Sequence, residues 1–549
     1  MSPTTDPPTD SIEANADASS TARPVLTSRR SAVTRWWPAA LIVVGTALLT
    51  VLAVSSPDMQ QQMKVVAVQL VPAIGVLLLW LWFVLLGPLA WSRRWRIAAL
   101  LPLAVAALLV LFRWDGFNGD LWLQFSWRWR PAAAAEVRPA EPGTVPELAD
   151  LRATTAQDFP QFLGDGRRGE VSGVRLARDW QSTPPRLVWR REVGAGWSSF
   201  AVVGQFALTQ EQRDAEESIV CYHLPTGGEV WRHREAASFA SLIGGDGPRA
   251  TPTVVDGRVY ALGATGILCC LDGADGQLVW RRDVLADHSS TNSEYGMSSS
   301  PLVTDGLVIV GAGSGGPPLA AYDAATGEKI WSGGHGEMSY SSPTLGTLAG
   351  VRQLISLNAN SVSGHDVTTG RTLWHAAWPG EDAKVPQPVV WQEDALFVSS
   401  GFGVGCALFD ITLTEDDEFL VSERWRSTLL KTKFTTAVIR ADHVFGLDDG
   451  ILTCLDLATG DRRWKRGRYG HGQVLLVDDV LLVQSEYGEV ALVEAHADGY
   501  RELTRFQALS GDRKAWTNPA LAGPYLLVRD DREAACFELP VEASAAAPE

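Results

Sequence analysis

Beyond residue 115 this chain of 549 residues has no apolar run longer than a strand, no cysteine occurs before Cys221, and basic residues are outnumbered. Each shortage excludes something. Lys and Arg total 47 against 63 Asp and Glu, a net charge of −16. Nucleic-acid binding needs clustered cations to meet phosphates, so no nucleic-acid partner is expected. An acidic surface otherwise bears chiefly on solubility. There is no Cys-x-x-Cys-His for covalent haem. There is also no Gly-x-x-x-x-Gly-Lys-Ser/Thr phosphate loop, no His-Glu-x-x-His and no Gly-x-Ser-x-Gly. The nine histidines are scattered; His223 and His365 fall inside the repeats described below, where a hairpin role is expected of them.

The long apolar runs gather before residue 115. Stretches 38–54 and 65–91 carry no charge, and 97–112 adds about 16 residues, short for a hydrocarbon core of roughly 30 Å. Three transmembrane helices are expected. A cleaved signal peptide is the poorer reading of the first, because a long polar tail precedes it and two further apolar stretches follow. Arg29, Arg30 and Arg35 precede the first stretch, Arg93, Arg94 and Arg96 fill the short loop between the second and third, and 55–64 holds one Lys. The positive-inside rule then keeps the N-terminus in the cytoplasm and places everything after residue 115 outside, although Arg113, Arg128 and Arg130 follow the third stretch. That exit segment, RWDGFNGDLWLQFSWRWRP, interleaves Trp and Phe with Arg as a membrane-interface anchor would.

Repeats dominate the remainder. Five segments, CYHLPTGGEVW, CLDGADGQLVW, AYDAATGEKIW, GHDVTTGRTLW and CLDLATGDRRW, end at Trp231, Trp280, Trp331, Trp374 and Trp464. Eight residues before each Trp stands a polar residue: His223, Asp272, Asp323, Asp366 or Asp456. Four residues before it stands a glycine: Gly227, Gly276, Gly327, Gly370 or Gly460. An Asp side chain can bond turn amides and Gly supplies a positive φ, so each segment reads as a hairpin whose last strand delivers a Trp to cover the next unit. Two more short strands lie upstream, as in TPTVVDGRVYALGATG. Four strands per repeat, at a period in the forties, match propeller blades.

Weaker copies complete the count. Trp425 follows Asp410 by fifteen places across an acidic loop, and a worn copy ends near Phe506. Trp189 lies in a final strand with no blade before it, while the C-terminal segment offers three strands and lacks a fourth. Closure of the ring by the Trp189 strand gives eight blades; seven follow if the Phe506 copy is not one. The expected organisation is a disordered cytoplasmic tail (1–36), three transmembrane helices (37–114), a juxtamembrane segment and linker (115–157), an eight-bladed all-β propeller (158–540) and a disordered tail (541–549).

The register resembles the pyrroloquinoline-quinone-type (PQQ-like) repeat, roughly Ala-x-Asp-x-x-Thr-Gly-x-x-x-Trp, over about 380 residues. Its relatives include the quinoprotein alcohol dehydrogenases and BamB, the propeller subunit of the outer-membrane barrel-assembly machinery. Closer still are bacterial propellers with N-terminal spans, to whose Trp-Pro-Gln-Phe-x-Gly motif DFPQFLGDGRRGEVSG is similar. The resemblance implies a propeller on the periplasmic side of a bacterial inner membrane. For a dehydrogenase it would imply PQQ, Ca²⁺ held by oxygens, a Trp floor and often a disulfide between adjacent cysteines. Cys269-Cys270 would supply that last feature, but Cys270 takes the place two before the Asp that Cys221 and Cys454 take in their repeats, and Cys536 fits the last strand similarly. A small residue in a packed strand explains that position better. BamB is lipid-anchored through a Cys, and none precedes Cys221 here.

The expected function is therefore a membrane-integral binding or scaffolding module for a protein or small-molecule partner, without catalytic residues, metal or cofactor. A PQQ-dependent alcohol or sugar oxidoreductase, with PQQ and calcium, is the rival, and a BamB-like part in outer-membrane assembly the third reading. Candidate ligand-binding residues are those before or between strands, near the channel mouth: Gln212 in Gln210-Glu211-Gln212, Arg249, Asn292, Glu294, Tyr340, Asn358 and Asn360.

Overall fold

The computed structural model describes residues 32–56, 59, 61–129 and 145–542. Most of the expected N-terminal tail, residues 130–144 of the expected juxtamembrane segment and linker, and all but two residues of the C-terminal tail lie outside the described residues. The chain divides into two compact units, one of apolar helices and one of strands.

In the first, helix α1 (Ala32–Ser55), α2 (Gln61–Leu86), α3 (Trp91–Ala98) and α4 (Leu100–Leu111) follow in order. Three stretches are long and apolar enough to cross a membrane: Trp36–Ser55, Gln62–Leu86 and Trp91–Leu111, of 20, 25 and 21 residues. The third is longer than its sequence suggests. Arg93, Arg94 and Arg96, expected in a loop, instead lie in α3. Arg94 explains this, because its guanidinium donates to the carbonyls of Val84 (3.1 Å), Leu85 (3.2 Å) and Leu89 (3.1 Å). Those at Val84 and Leu85 belong to the last turn of α2, where a helix leaves carbonyls unpaired.

Besides a two-stranded hairpin, the second unit holds eight sheets of four antiparallel strands, one of them extended by a fifth, parallel strand. The first blade is Ala201–Val203, Phe206–Arg213, Glu216–His223 and Glu229–Glu235, from the axis outward. Six more follow consecutively, and in the fifth the long hairpin of Gly405–Leu413 with Phe419–Ser427 absorbs the acidic insertion. Phe506 lies in a true final strand, Glu502–Gln507, so the ring has eight blades rather than seven. The eighth blade takes its outer strand from before the first: Arg186–Glu192 pairs with Glu533–Glu538, with Trp189 opposite Cys536.

The Trp/Gly register has a single packing cause. Five Trp lie on the glycine turn of the following blade, where a Cβ on Gly227, Gly276, Gly327, Gly370 or Gly460 would fall 2.4–2.7 Å from a ring atom of Trp189, Trp231, Trp280, Trp331 or Trp425. These glycines also hold φ of +65° to +77°, which suits no side chain. The indole N–H of Trp189, Trp231, Trp280, Trp425 and Trp464 donates to a carbonyl in the next turn at 2.7–3.0 Å. Trp374 departs from this and donates to Gln353 within its own blade. Across the strand pair, Cys221, Cys270, Ala321, Gly364, Cys454 and Cys536 stand opposite Trp231, Trp280, Trp331, Trp374, Trp464 and Trp189. Small side chains there leave room for the indole. Cys269 and Cys270 are free thiols on opposite faces of their strand, one packed against the first blade and the other against the third.

Two parts of the expected juxtamembrane segment and linker are structured, and the first begins at Phe112, inside the expected third transmembrane helix, which ends instead at Leu111. Residues Phe112–Phe117 (β1) and Leu123–Trp127 (β2) form an antiparallel hairpin with a bulge at Asp115. In residues 145–157, Ala149 N donates to Ala274 O and the Leu151 carbonyl accepts from Gly257 N, both of the second blade, with the Leu151 side chain buried, while Gln157 O accepts from Gly523 N of the eighth.

Candidate functional site

The axis of the ring is built by one position in every blade, two residues before the inner strand or its equivalent: Ser199, Thr251, Ser300, Ser342, Gln387, Thr436, Gln473 and Asn518. A short polar side chain here can tie one blade to the next. Ser199 N donates to Thr251 Oγ1 (3.2 Å), Thr251 N to Ser300 Oγ (2.9 Å), Ser300 N to Ser342 Oγ (2.9 Å) and Gln387 N to Thr436 Oγ1 (3.0 Å). Ser199 Oγ donates to Asn518 O (2.6 Å), and Gln473 Nε2 bridges Phe434 O (3.1 Å) and Trp516 O (2.6 Å). The belt satisfies amides that a central channel would otherwise leave unpaired.

Both ends of the channel are covered by the chain itself. The segment 158–173 crosses the ring at one end: Phe159 pairs with Val202 of the first blade, and Glu170–Val171 pairs in parallel with Leu476 and Val477 of the seventh. Between them Arg167, fully buried, donates to Pro343 O (2.6 Å), Ser300 O (3.1 Å) and Gln161 Oε1 (3.2 Å), and also to Pro301 O. Burial lowers its guanidinium to about 9. The conformation is compact: Gly164, Gly166 and Gly169 all take positive φ.

The β1–β2 tip enters at the other end. Its Asn118 carboxamide accepts from Asp120 N (3.0 Å) and Trp122 N (2.9 Å), an Asx turn that sets the tip. Gly119 N donates to Glu486 Oε1 (2.8 Å), its carbonyl accepts from Lys433 Nζ, Asp120 Oδ1 meets His471 Nε2 (2.9 Å), and Phe117 O accepts from Lys514 Nζ (2.6 Å). Along the seventh blade the tip touches His471, before the inner strand Gln473–Val477, whereas 158–173 pairs at that strand's far end. The two segments therefore close opposite ends. Burial would raise the Asp120 carboxyl, but the His471 hydrogen bond and the charges of His471, Lys433 and Arg468 prevail and hold it below its ordinary value.

Between the closures lies a cavity of about 380 Å³, within the range of small-molecule sites. Trp197, Trp516, Phe434, Phe402 and Phe162 supply its aromatic wall. Trp516 packs on Trp197 (centroids 5.1 Å apart, 31° between planes) and on Phe434 (4.8 Å). Ser199, Thr251, Ser300, Ser342 and Asn518 of the belt supply polar groups, and Arg249 and Lys433 supply cations. Lys433 Nζ lies 4.7 Å from the Phe402 ring and 5.2 Å from Phe434. Burial brings its ammonium down to about 8 against the pull of Asp120 and Glu486. Burial likewise lowers Arg249 to about 10.

Of the seven residues anticipated at the mouth, two reach the cavity. Arg249 lines it while donating to Gly244 O (3.0 Å) and Gly245 O (2.7 Å), and Tyr340 lines it while accepting from Tyr295 N (3.2 Å). The others are absent from the lining. Gln212 accepts from Phe239 N (2.7 Å), and Asn292 donates to Ala264 O (3.0 Å). Glu294 and Asn360 are exposed, and Asn358 is buried in a turn with Ser356, Ser363 and His335. Sequence reasoning missed the belt, Lys433, Trp516 and the hairpin tip. The belt had a signal, a Ser, Thr, Gln or Asn before proline in ATPT, SSPL, SSPT, PQPV and TNPA.

A PQQ–calcium pair fits this donor set poorly. Calcium takes six to eight oxygen ligands, with carboxylates prominent. Asp382 is the single carboxylate lining the cavity among the described residues. Asn292 and Glu294, two oxygen-bearing side chains close in sequence, lie outside the lining.

Residues 215–466 match the family model described as outer membrane protein assembly factor BamB. BamB of Shewanella oneidensis is 22% identical over 360 residues, covering 62% of this chain and 86% of that protein. The quinohaemoprotein alcohol dehydrogenase ADH-IIG of Pseudomonas putida is 36% identical over 88 residues, only 16% of this chain and 12% of the enzyme. The crystal structure of quinohaemoprotein alcohol dehydrogenase from Comamonas testosteroni superposes with a TM-score of 0.52 at 13% identity, covering 72% of this chain and 82% of that one, a likeness of fold. The chain forms a β-propeller of eight blades that is similar to BamB in sequence and, over 88 residues, to a quinohaemoprotein alcohol dehydrogenase, and three helices of membrane-spanning length and composition precede it in the sequence.

Proposed function

We propose that this protein is a membrane-anchored binding module whose ligand is a small molecule held in the axial cavity, with the β1–β2 tip as its cap. The carrying observation is that an aromatic-walled cavity with two cations, the buried Lys433 and the half-buried Arg249, persists between two closures made by the chain's own backbone. A purely structural channel would be filled by side chains, as small closed folds fill theirs. Lys433, Arg249 and the hydroxyl belt are donors, so the ligand is rich in hydrogen-bond acceptors, and Trp516 offers its flat face.

The chain's three apolar helices support anchoring in a bacterial inner membrane, and the arginine distribution supports an extracytoplasmic propeller. A reporter fused after residue 549 should then be active only outside the cytoplasm. The relationship to BamB supports a protein partner at the outer loops as well, which a pull-down of the propeller from membrane extract would identify. The ligand is tested by denaturing extraction of the full chain purified in mild detergent. A small molecule should be released that Trp516→Ala protein lacks; identical extracts from both would refute the cavity reading. A saturable absorbance change with dye reduction on adding PQQ and Ca²⁺ would instead establish an oxidoreductase.

A further inference from the structure

A second cluster of ligand-type side chains lies away from the axis, in the seam between the first and second blades. His233 and Glu235 are two residues apart on the outer strand Glu229–Glu235 and so share a face. The second blade presents Cys269 to that seam from Ile267–Asp272, in one cluster with Trp231, while Cys270 faces away with Trp280. His233 Nε2 is 3.0 Å from Glu235 Oε1, and Cys269 Sγ is 3.4 Å from the same oxygen. All three ligand atoms lie within 4.8 Å of one another. Arg281 Nε holds the other carboxylate oxygen at 2.9 Å.

We propose that His233, Glu235 and Cys269 form a binding site for a zinc-class divalent cation that joins the two blades. Around tetrahedral zinc, bonds of about 2.0–2.3 Å place neighbouring N, O and S ligands about 3.3–3.6 Å apart. The S···O separation already has that value, and the N···O separation is slightly shorter. The third edge closes with about an ångström of movement by the half-buried imidazole. One sulfur, one imidazole nitrogen and one carboxylate oxygen select zinc or its neighbours over calcium and magnesium, which want oxygen alone. Arg281 orients the carboxylate from outside, as a hydrogen-bonded outer shell does for metal ligands, leaving Oε1 for the ion. Binding converts the Cys269 thiol to thiolate with one proton released to solvent. Three protein ligands leave one position, which water fills. This site is independent of the axial cavity.

The competing explanation is a plain hydrogen-bonded trio, with Glu235 accepting from imidazole and thiol. Cobalt(II) separates the two. Full-length protein in detergent, stripped with chelator, should on addition of Co²⁺ develop a thiolate-to-metal charge-transfer band and intense tetrahedral d–d bands at one ion per chain, both displaced by Zn²⁺. Cys269→Ser should abolish the charge-transfer band, whereas Cys270→Ser, one residue along and facing away, should retain it. His233→Ala should weaken Co²⁺ binding at least tenfold, the lower end of what loss of an outer-shell partner alone costs. Circular dichroism of each variant confirms folding before titration. Absence of the band at stoichiometric Co²⁺, or its survival in Cys269→Ser, would overturn the site.

Discussion

Two glycines separate conformational from packing demands in the repeat. Gly276 holds φ +73° and Gly306 holds φ +75°, so alanine at either carries the same left-handed penalty, about 1–2 kcal/mol. Their surroundings differ. A Cβ at Gly276 would sit 2.4 Å from Trp231 Cε3, whereas at Gly306 nothing lies within 4 Å. Trp231 is buried, and its indole N–H donates to Gly273 O at 2.9 Å. Moving it adds an overpacking cost of about 1–3 kcal/mol, and roughly 1 kcal/mol more if that hydrogen bond breaks. Gly276→Ala should therefore destabilise the propeller by about 2–4 kcal/mol more than Gly306→Ala. Urea unfolding followed by fluorescence, compared at unchanged slope, measures the difference as a midpoint shift. In a Trp231→Ala background the extra cost should vanish, giving a coupling of about 2 kcal/mol or more between two residues in contact. Equal costs for the two alanines, or no coupling, would refute the claim that the repeat glycine exists to seat the preceding blade's tryptophan.

The cap rests on an equally close approach, because a Cβ on Gly119 would lie 2.2 Å from His471 Cδ2. Gly119→Val should free the hairpin, accelerating amide hydrogen exchange across 112–127 without changing the inner strands. Acid should do the same in the wild type: the Asp120 carboxyl is depressed in the folded state, so its contribution is complete above the ordinary carboxylate value and disappears as pH falls through the lowered one. Glu217 runs the other way. Burial raises it to about 7, so the folded state retains a proton that the unfolded state loses, and stability falls as pH rises from about 4.5 to 7. Glu217→Gln, which can still accept from Ala264 N, should flatten that decline and gain roughly 2–3 kcal/mol at pH 8 by thermal or urea unfolding; a parallel pH profile in the variant would contradict it.

The ring was legible in the sequence because one constraint recurs in five of its eight blades. A tryptophan, the glycine beneath the preceding tryptophan and the small residue opposite it form a unit that those blades reproduce, and even the eighth blade's borrowed strand announced itself through Trp189 lacking strands before it. The belt recurs as well, yet it escaped notice because its requirement is loose: Ser, Thr, Gln and Asn all reach a neighbouring amide or carbonyl, so no single letter repeats. The cap was hidden for a different reason. In RWDGFNGDLWLQFSWRWRP the aromatic residues drew attention to a membrane interface, and several of them, Trp114, Phe125 and Trp127 among them, are indeed exposed. Its centre is held by Lys433, His471, Glu486 and Lys514, more than 300 residues away, which no local pattern connects to it. The same reasoning explains why Arg249 and Tyr340 alone of the anticipated residues reach the cavity. Position before an inner strand puts a residue near the axis, but direction is decided by neighbours: Asn292 is drawn to the Ala264 carbonyl and Asn358 to the His335 carbonyl. In a propeller the repeat specifies the walls, while what enters the channel is specified by segments outside the repeat. The chain's departures from its own pattern, 112–127 and 158–173, are therefore the segments that close the two ends of its channel.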